Sequence, residues 1–460
     1  MLPDATRVFA RLGRSFTLPG SAVFWCYTSV LPMPVSAYYA AAAQHLAAAQ
    51  AAVARHAAVS GSWRVSDILD DAGHQYVDLV MEGGGVLGIA LAGYVYVLEQ
   101  LGVRFLQLGG TSAGSVNALL MAAAGPVQVA KTDWLLARLS AQNLQDFVDG
   151  DDDARDFVRV LVANGRGLDY LWKGAQVFDN LKHDFGLNPG DAFHEWLRRL
   201  LNEQGIRTVR DLNQLRTLSA TDGLRRRDGS AYAPDRPIRL AVVTADITTE
   251  SKVIFPEMAG LYYQAPDEVH PADFVRASMA IPGFFTPFRV YDLPRAGAAS
   301  SPEWETATGY RGLVPAEVLF IDGGILSNFP IDLFHQHFKV PACPTFGVKL
   351  GPGRTRANRN EKFTQLLGNI FATTRHGHDY DFIARNPDFR HIVSYADTER
   401  FNWLDFGLDE ATKQALFAEG ARAAAGFVER FDWAGYQEVR RQLIRAYQAT
   451  DAVQPSAVIT

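Results

Sequence analysis

The chain has few cysteines, little net charge and no long uninterrupted apolar segment, and each shortage excludes a class of protein. Cys26 and Cys343 are the two cysteines among 460 residues, too few and too far apart for a disulfide framework or a zinc site. The net charge of −6 argues against a nucleic-acid partner, because binding to phosphates requires a basic face. Hydrophobic residues make up 48% of the chain and charged residues 20%, which is typical of a soluble globular protein.

Charge is also missing from a long N-terminal stretch. Residues 15–54 contain no Asp, Glu, Lys or Arg, and prolines flank the apolar segment Ala22–Leu31 on both sides. No run of about 20 apolar residues exists there, so a spanning helix is not expected. Arginines before this segment and Val35-Ser36-Ala37 after it resemble a weak secretory signal, which makes secretion the less favoured alternative. We expect a cytoplasmic protein, with peripheral attachment to a membrane left open. The Ala-rich run Ala37–Ala58 predicts a helix, which we expect to pack on the rest of the protein; a helix at the membrane interface is the less favoured alternative.

A Gly-x-Ser-x-Gly sequence, Gly110-Thr111-Ser112-Ala113-Gly114, dominates the middle of the chain. The apolar run Val103–Leu108 before it predicts a buried strand, and the small residues Ser115–Ala124 after it predict a helix. A strand, a sharp turn and a helix form the nucleophile elbow that exposes a serine hydroxyl, and Gly110 and Gly114 allow such a turn. The alternative is a strand–helix turn in which Ser112 only caps the helix.

A second glycine-rich segment, Gly83-Gly84-Gly85-Val86-Leu87-Gly88, follows the predicted strand Val77–Met81. It matches the G-x-G-x-x-G pattern of dinucleotide-binding proteins. That pattern requires an acidic residue at the end of the next strand, where this chain has Gly109 to Ser112 instead, so the cofactor interpretation fails. Backbone N–H groups left bare by successive glycines could instead form the oxyanion hole of an acyl-transfer enzyme, since adjacent parallel strands would bring this loop beside Ser112.

A carboxylate also stands at the end of an apolar strand. Residues Val318–Ile321 lead to Asp322, which Gly323 and Gly324 follow. A carboxylate at a strand end beside a nucleophile is a candidate general base, although an Asp-Gly turn after a strand is common in itself.

Histidine and metal chemistry are the remaining alternatives. A Ser-His-Asp triad would need a histidine, and five histidines follow Asp322. We interpret each of the five as an ordinary surface or hydrogen-bonded residue. Asp149, Asp151 and Asp153 have the spacing of a calcium loop, but Ala154 and Val160 replace its required glycine and glutamate. We therefore expect no metal and no organic cofactor. The histidines that follow Asp322 are His335, His337, His376, His378 and His391.

Four motifs together resemble the patatin-like phospholipases. They are the glycine loop, the Ser112 elbow, the segment Ala277-Ser278-Met279-Ala280-Ile281-Pro282, and Asp322-Gly323-Gly324 followed by Asn328 and Pro330. The resemblance implies a three-layer α/β/α sandwich around a central, mostly parallel sheet, and the sequence before it predicts an N-terminal helical extension. The extent of the resemblance divides the chain into an N-terminal extension (1–75), an acyl hydrolase domain (76–431) and a C-terminal helical tail (432–460).

The same resemblance implies a catalytic dyad without histidine. Ser112 would be the nucleophile and Asp322 its base, and the glycines would form the oxyanion hole or support the turns. The family usually has Arg or Lys near Leu87, so any help from a charge at that position is missing. The implied oxyanion-hole residues are Gly83, Gly84 and Gly85, and the implied supporting residues are Gly88, Gly110, Gly114, Gly323 and Gly324.

The implied substrate is a phospholipid or another lipid ester at a membrane or micelle surface. The expected activity is that of a phospholipase A or lysophospholipase acting through an acyl-enzyme. A neutral-lipid lipase or small-ester esterase is the alternative, and a non-catalytic lipid-binding protein is the remote one.

Overall fold

The computed structural model describes residues 33–150, 185–217, 223–232, 239–336, 338–351, 357, 373, 382–383 and 385–453. The described ranges do not include His337, His376, His378, Asp151, Asp153, Ala154 or Val160, nor the apolar segment Ala22–Leu31. No helix of the described ranges is long and apolar enough to cross a membrane.

Strands alternate with helices through most of the described chain. The strands are β1 (Ile68–Leu69), β2 (Gln75–Met81), β3 (Val103–Thr111), β4 (Gly186–Asn188), β5 (Arg225–Arg226), β6 (Leu240–Asp246), β7 (Ser251–Phe255), β8 (Gly283–Phe285), β9 (Phe288–Tyr291), β10 (Glu317–Asp322), β11 (Thr345–Leu350) and β12 (Val393–Ala396).

The helices differ widely in length. They are α1 (Met33–Ser60), α2 (Gly88–Gln100), α3 (Ala113–Ala123), α4 (Thr132–Ala141), α5 (Asp191–Glu203), α6 (Val209–Arg216), α7 (Ala259–Tyr262), α8 (Pro271–Ser278), α9 (Pro302–Thr308), α10 (Gly324–Ser327), α11 (Phe389–Ile392), α12 (Glu410–Arg430) and α13 (Trp433–Val453). Short 3₁₀ turns lie at Gly85–Leu87, Leu144–Phe147, Pro266–Glu268 and Ile331–Phe334.

The main sheet has a parallel centre and antiparallel additions. Its strand order is β12-β11-β2-β3-β6-β10-β9, and the first five strands are parallel, whereas β10 and β9 continue the sheet antiparallel. Every residue of β2 and of β6 is buried, which requires cover on both faces of the sheet. The fold is therefore the predicted three-layer α/β/α sandwich.

Helix α1 packs into the same hydrophobic core as the sheet. Its buried face includes Val35 and Tyr38, and the Tyr38 ring meets the Phe417 ring of α12 edge to face at 5.6 Å between centroids. The candidate cleavage site Val35-Ser36-Ala37 lies inside this helix. Trp433 of α13 is buried in the same core.

Candidate active site

Ser112 occupies the sharp turn between β3 and α3. Its backbone has φ 52° and ψ −121°, a conformation that costs a non-glycine residue of order 1–3 kcal/mol. The turn depends on glycine, because a Cβ on Gly114 would lie 2.1 Å from the Met81 carbonyl oxygen. Although Ser112 is the N-cap of α3, its side chain makes no capping hydrogen bond. The interpretation of Ser112 as a capping serine is therefore wrong, and its buried hydroxyl is not used by the helix.

Strand register brings Ser112, the glycine loop and Asp322 to one level of the sheet. Thr111 at the end of β3 pairs with Val243 of β6, and the next residue of β6, Thr244, pairs with Asp322. On the other side of β3, Met81 pairs with Gly110, so Gly83 stands level with Ser112. Ser112 and Asp322 thus lie on opposite sides of β6, about two strand spacings, or roughly 10 Å, apart across the sheet.

The segment Ser278-Met279-Ala280 bridges Ser112 and Asp322. The Ser278 hydroxyl accepts from the Ser112 N–H at 2.8 Å and donates to the Val243 carbonyl at 2.6 Å. The Ala280 carbonyl accepts from the Asp322 N–H at 2.8 Å. The sequence motif placed this segment in the site but assigned no role to Ser278, which here fixes the strained backbone of Ser112.

The Ser112 hydroxyl itself points at a sulfur atom. Its Oγ donates to the thioether sulfur of the buried Met279 at 3.3 Å, and a thioether is a weak acceptor. A weak hydrogen bond of this kind leaves the hydroxyl able to turn toward a stronger acceptor.

Asp322 is buried at the end of β10, with 2% of its surface exposed. Its Oδ1 accepts the N–H of Gly324 at 2.7 Å. A Cβ on Gly323 would lie 2.2 Å from the Val243 carbonyl oxygen and 3.0 Å from Cγ2 of Thr111. Gly323 therefore allows the turn after Asp322 to lie directly against the end of β3, beside Ser112.

The glycine loop lies against the elbow, as the sequence predicted. A Cβ on Gly83 would lie 3.0 Å from Cβ of Ser112 and 2.5 Å from Oδ1 of Asn328, so only glycine fits there. The Gly83 N–H donates to the Asn328 carbonyl at 3.1 Å. Within the described part of the chain the N–H groups of Gly84 and Gly85 have no hydrogen-bond acceptor, which leaves two adjacent donors at this loop.

An ion pair between a buried glutamate and a partly buried lysine, which sequence reasoning missed, holds the start of this loop. Glu82 is 1% exposed, and its Oε1 accepts from Nζ of Lys349 at 2.6 Å and from Nδ2 of Asn328 at 3.1 Å. Its Oε2 accepts the Leu350 N–H at 2.5 Å. Leu87, where the family usually has a basic residue, is buried, whereas Lys349 places a cation against Glu82 at the start of this loop.

Histidines in the described residues lie elsewhere. None of them hydrogen-bonds the Ser112 hydroxyl there. His335 is buried 3.7 Å from a carboxylate oxygen of Asp388, and His391 is exposed on the surface. No group of three or more His, Cys, Asp or Glu side chains in the described ranges could hold a metal ion, and the Asp149 carboxylate accepts the backbone N–H groups of Gly190 and Ala192.

A match to one protein-family model identifies the family of this chain. Residues 79–335, more than half of the chain, match the model of the patatin-like phospholipases. The uncharacterized protein YqhO of Bacillus subtilis is 29% identical over 363 residues, which are 78% of this chain and 100% of that protein. Among solved structures, VipD from Legionella pneumophila is similar at 15% identity and a TM-score of 0.37, over 80% of this chain and 71% of VipD. ExoU from the type III secretion system of Pseudomonas aeruginosa, solved with SpcU, is similar at 13% identity and a TM-score of 0.32, over 82% and 60% of the two chains.

Proposed function

Because the chain belongs to the patatin-like phospholipase family of lipid-hydrolysing enzymes, we propose that it cleaves carboxylic esters of phospholipids or lysophospholipids through a Ser112–Asp322 dyad. The main support for the proposal is the strand register. It places Ser112 after β3, Asp322 at the end of β10 and Gly83 after β2 at the same height in the sheet. Acyl transfer requires a nucleophile, a general base such as a carboxylate, and backbone N–H groups that are available to bind the oxyanion.

The first half of the reaction forms an acyl-enzyme. The Ser112 hydroxyl turns from Met279 toward Asp322, and Oγ attacks the ester carbonyl carbon while the Asp322 carboxylate accepts its proton. The N–H groups of Gly84 and Gly85 stabilise the tetrahedral oxyanion, and one such donor is typically worth about 3–4 kcal/mol in the transition state. The carbon–oxygen bond to the alcohol then breaks, and the leaving oxygen takes the proton from Asp322.

Hydrolysis of the acyl-enzyme repeats these roles with water. Asp322 accepts a proton from water as the water oxygen attacks the acyl carbon. Collapse of the second tetrahedral intermediate returns the proton to Ser112 and releases the fatty acid. The Ser278 hydroxyl stays bonded to the Ser112 N–H throughout, so the elbow keeps its conformation in both halves.

Labelling with a serine-directed fluorophosphonate tests the nucleophile. We expect one labelled peptide, containing Ser112, and loss of both labelling and ester turnover in Ser112→Ala with an unchanged melting temperature. Ser66→Ala is the matched control, because Ser66 is equally buried, and its hydroxyl donates to the Ala342 carbonyl and accepts the Ile68 N–H, away from the site. A label on another serine would contradict the proposal.

A mixed lipid extract treated with the purified protein tests the substrate class. We expect free fatty acids together with lysophospholipids or glycerophosphodiesters, and Ser112→Ala is the control for contaminating activity. Release of fatty acid from triacylglycerols alone would favour the lipase alternative. Binding of lipid with no turnover of any ester would favour the non-catalytic alternative.

A further inference from the structure

A cavity of about 290 Å³ lies away from the Ser112 site, near the start of the parallel strands. Asp78 of β2 and its pairing partner Thr345, the first residue of β11, both line it. Asp78 precedes Gly83 by five residues, so the cavity and the glycine loop are about 16 Å apart along the strand. Neither Ser112 nor Asp322 lines the cavity, and the proposed hydrolysis makes no use of it.

An irregularity in the sheet shapes the cavity wall. The register of β2 against β3 shifts between Val77 and Leu79, a β-bulge of the kind that re-aims side chains beside functional sites. The Asp78 carboxylate holds the bulge, because it accepts the Gln107 N–H at 3.1 Å and the Gln107 side-chain amide at 2.9 Å. These bonds leave Gln107 Oε1 buried with no hydrogen-bond partner in the described residues.

The charges around the cavity are mostly positive. Arg226, Lys339 and Arg440 line it, against one lining carboxylate, that of Asp78. Arg440 is tied to the Asp388 carboxylate at 2.8 Å. Arg226 lies over the Tyr232 ring at 5.5 Å from the ring centroid, and no carboxylate of the described ranges lies within ion-pair distance of it.

We propose that this cavity binds a small anionic molecule that also carries a hydroxyl group. Its phosphate or carboxylate lies near Arg226 and Lys339, and its hydroxyl donates to Gln107 Oε1. The cavity lining determines which group of the ligand lies where. The buried acceptor Gln107 Oε1 needs a hydrogen-bond donor, and the planar guanidinium of Arg226 suits an oxyanion. The volume lies at the lower end of ligand pockets, so the ligand is a compound of metabolite size.

Calorimetry on the full chain tests both halves of this proposal. The probes are sn-glycerol 3-phosphate and glycerate, which share the two groups but differ in the anion, together with propyl phosphate and propionate, which lack the hydroxyls. We expect saturable binding of at least one hydroxylated anion, with a dissociation constant on the order of 0.1 mM. Its hydroxyl-free counterpart should bind about tenfold or more weakly, and uncharged glycerol should not bind.

Two neighbouring arginines provide matched variants. Arg226→Gln should weaken binding of the hydroxylated anion about tenfold or more, since a charge-assisted hydrogen bond is lost. Arg225→Gln should not change it, because Arg225 lies on the same strand but pairs with Asp71 and does not line the cavity. Equal losses in the two variants, equal binding with and without the hydroxyl, or no saturable binding of either hydroxylated anion would overturn the proposal. Ester turnover by the two variants is a separate readout of the proposed dyad and plays no part in this outcome.

Discussion

At the residue scale the proposed mechanism assigns Asp322 the role of general base. Asn is nearly isosteric with Asp but cannot accept the serine proton, so we expect Asp322→Asn to fold normally and to lose hydrolysis. The loss should lie in kcat, by about 10²–10⁴-fold, because base assistance acts on the transition state rather than on lipid binding. Steady-state kinetics with a soluble short-chain ester measure it.

Micelle binding by the same Asp322→Asn variant is the control and should be unchanged. Activity within a few-fold of the wild type would show that Asp322 is only a turn residue at a strand end. The base would then be sought first among the histidines, including His376 and His378, by single substitutions.

Ser278 supports the nucleophile through a hydrogen bond and does not contact substrate in the proposed reaction. Ser278→Ala leaves the Ser112 N–H and the Val243 carbonyl unpaired, and each buried unpaired group costs about 1–3 kcal/mol. We expect a lower melting temperature and a kcat reduced by roughly tenfold, with little change in KM, since 1.4 kcal/mol of transition-state stabilisation is a factor of ten. The matched control is Ser394→Ala, a buried serine on β12 whose hydroxyl bonds the Tyr94 hydroxyl. It should lose stability but not kcat, and an equal loss of kcat in both variants would assign Ser278 a purely structural role.

At the scale of elements, helix α8 carries Ser278 to the site, and a histidine starts this helix. His270 is the N-cap, and its Nδ1 accepts the Ala272 N–H at 3.2 Å, which requires an unprotonated nitrogen. Burial, aided by the charge of Arg198, lowers the pKa of His270 from 6.5 to about 4. Protonation of His270 would therefore place a charge in a buried position and remove the acceptor that caps the helix.

The pH dependence of stability follows from this shift. Between about pH 6.5 and pH 4 the unfolded chain binds a proton at His270 that the folded chain does not, so the free energy of unfolding falls as the pH falls. We expect this group to contribute a loss of roughly 2 kcal/mol between pH 7 and pH 4.5. Urea unfolding of the wild type and of His270→Asn measures it, because Asn keeps a cap acceptor without titrating.

The control for His270→Asn is His391→Asn, at an exposed position, which should keep the full pH dependence. If His270→Asn lost as much stability as the wild type over this interval, the titrating group would lie elsewhere.

Local sequence predicted the elements of the site well. The strand before Ser112 and the helix after it were expected at 103–108 and 115–124 and are observed at Val103–Thr111 and Ala113–Ala123. Hydrophobic periodicity and glycine placement are local signals, and they suffice for a strand–turn–helix unit. The position of the glycine loop beside the elbow was predicted from a different rule, that consecutive parallel strands are usually neighbours in the sheet.

Long-range pairing could not be predicted from the same signals. Glu82 and Lys349 are 267 positions apart, and nothing near either residue indicates that they meet. Nor does the chain around Val318–Asp322 reveal that β10 runs antiparallel to β6, which is what brings Asp322 level with Ser112. The cavity likewise depends on a bulge and on β5, whose pairing with β1 leaves no pattern in the sequence.

At the scale of the whole molecule, the N-terminal region has two parts with different expected roles. Helix α1 is integral to the core, since Val35, Ala42 and Ala49 are fully buried and the Tyr38 hydroxyl donates to Glu410 at the start of α12 at 3.1 Å. The uncharged residues before α1 contain the apolar segment Phe16–Leu31, which we propose rests on a lipid surface. The three-part division of the chain at 75 and 431 remains a prediction.

Two truncations distinguish these roles. Deletion of residues 1–60 removes α1 and exposes its contact surface on α12, so we expect loss of stability, of soluble-ester hydrolysis and of liposome binding together. Deletion of residues 1–32 keeps α1 whole, and it should leave soluble-ester turnover within about twofold while weakening liposome binding roughly tenfold, the effect of losing about 1.4 kcal/mol of apolar burial in lipid. Liposome sedimentation and short-chain ester kinetics on the same preparations measure the two effects.

Tyr38→Ala in the full chain is the control for packing, because it removes a buried ring, costs about 3–5 kcal/mol of stability and leaves Phe16–Leu31 intact. If the shorter deletion reduced both activities equally, the segment before α1 would have a structural role, and the lipid contact would have to lie elsewhere on the molecule.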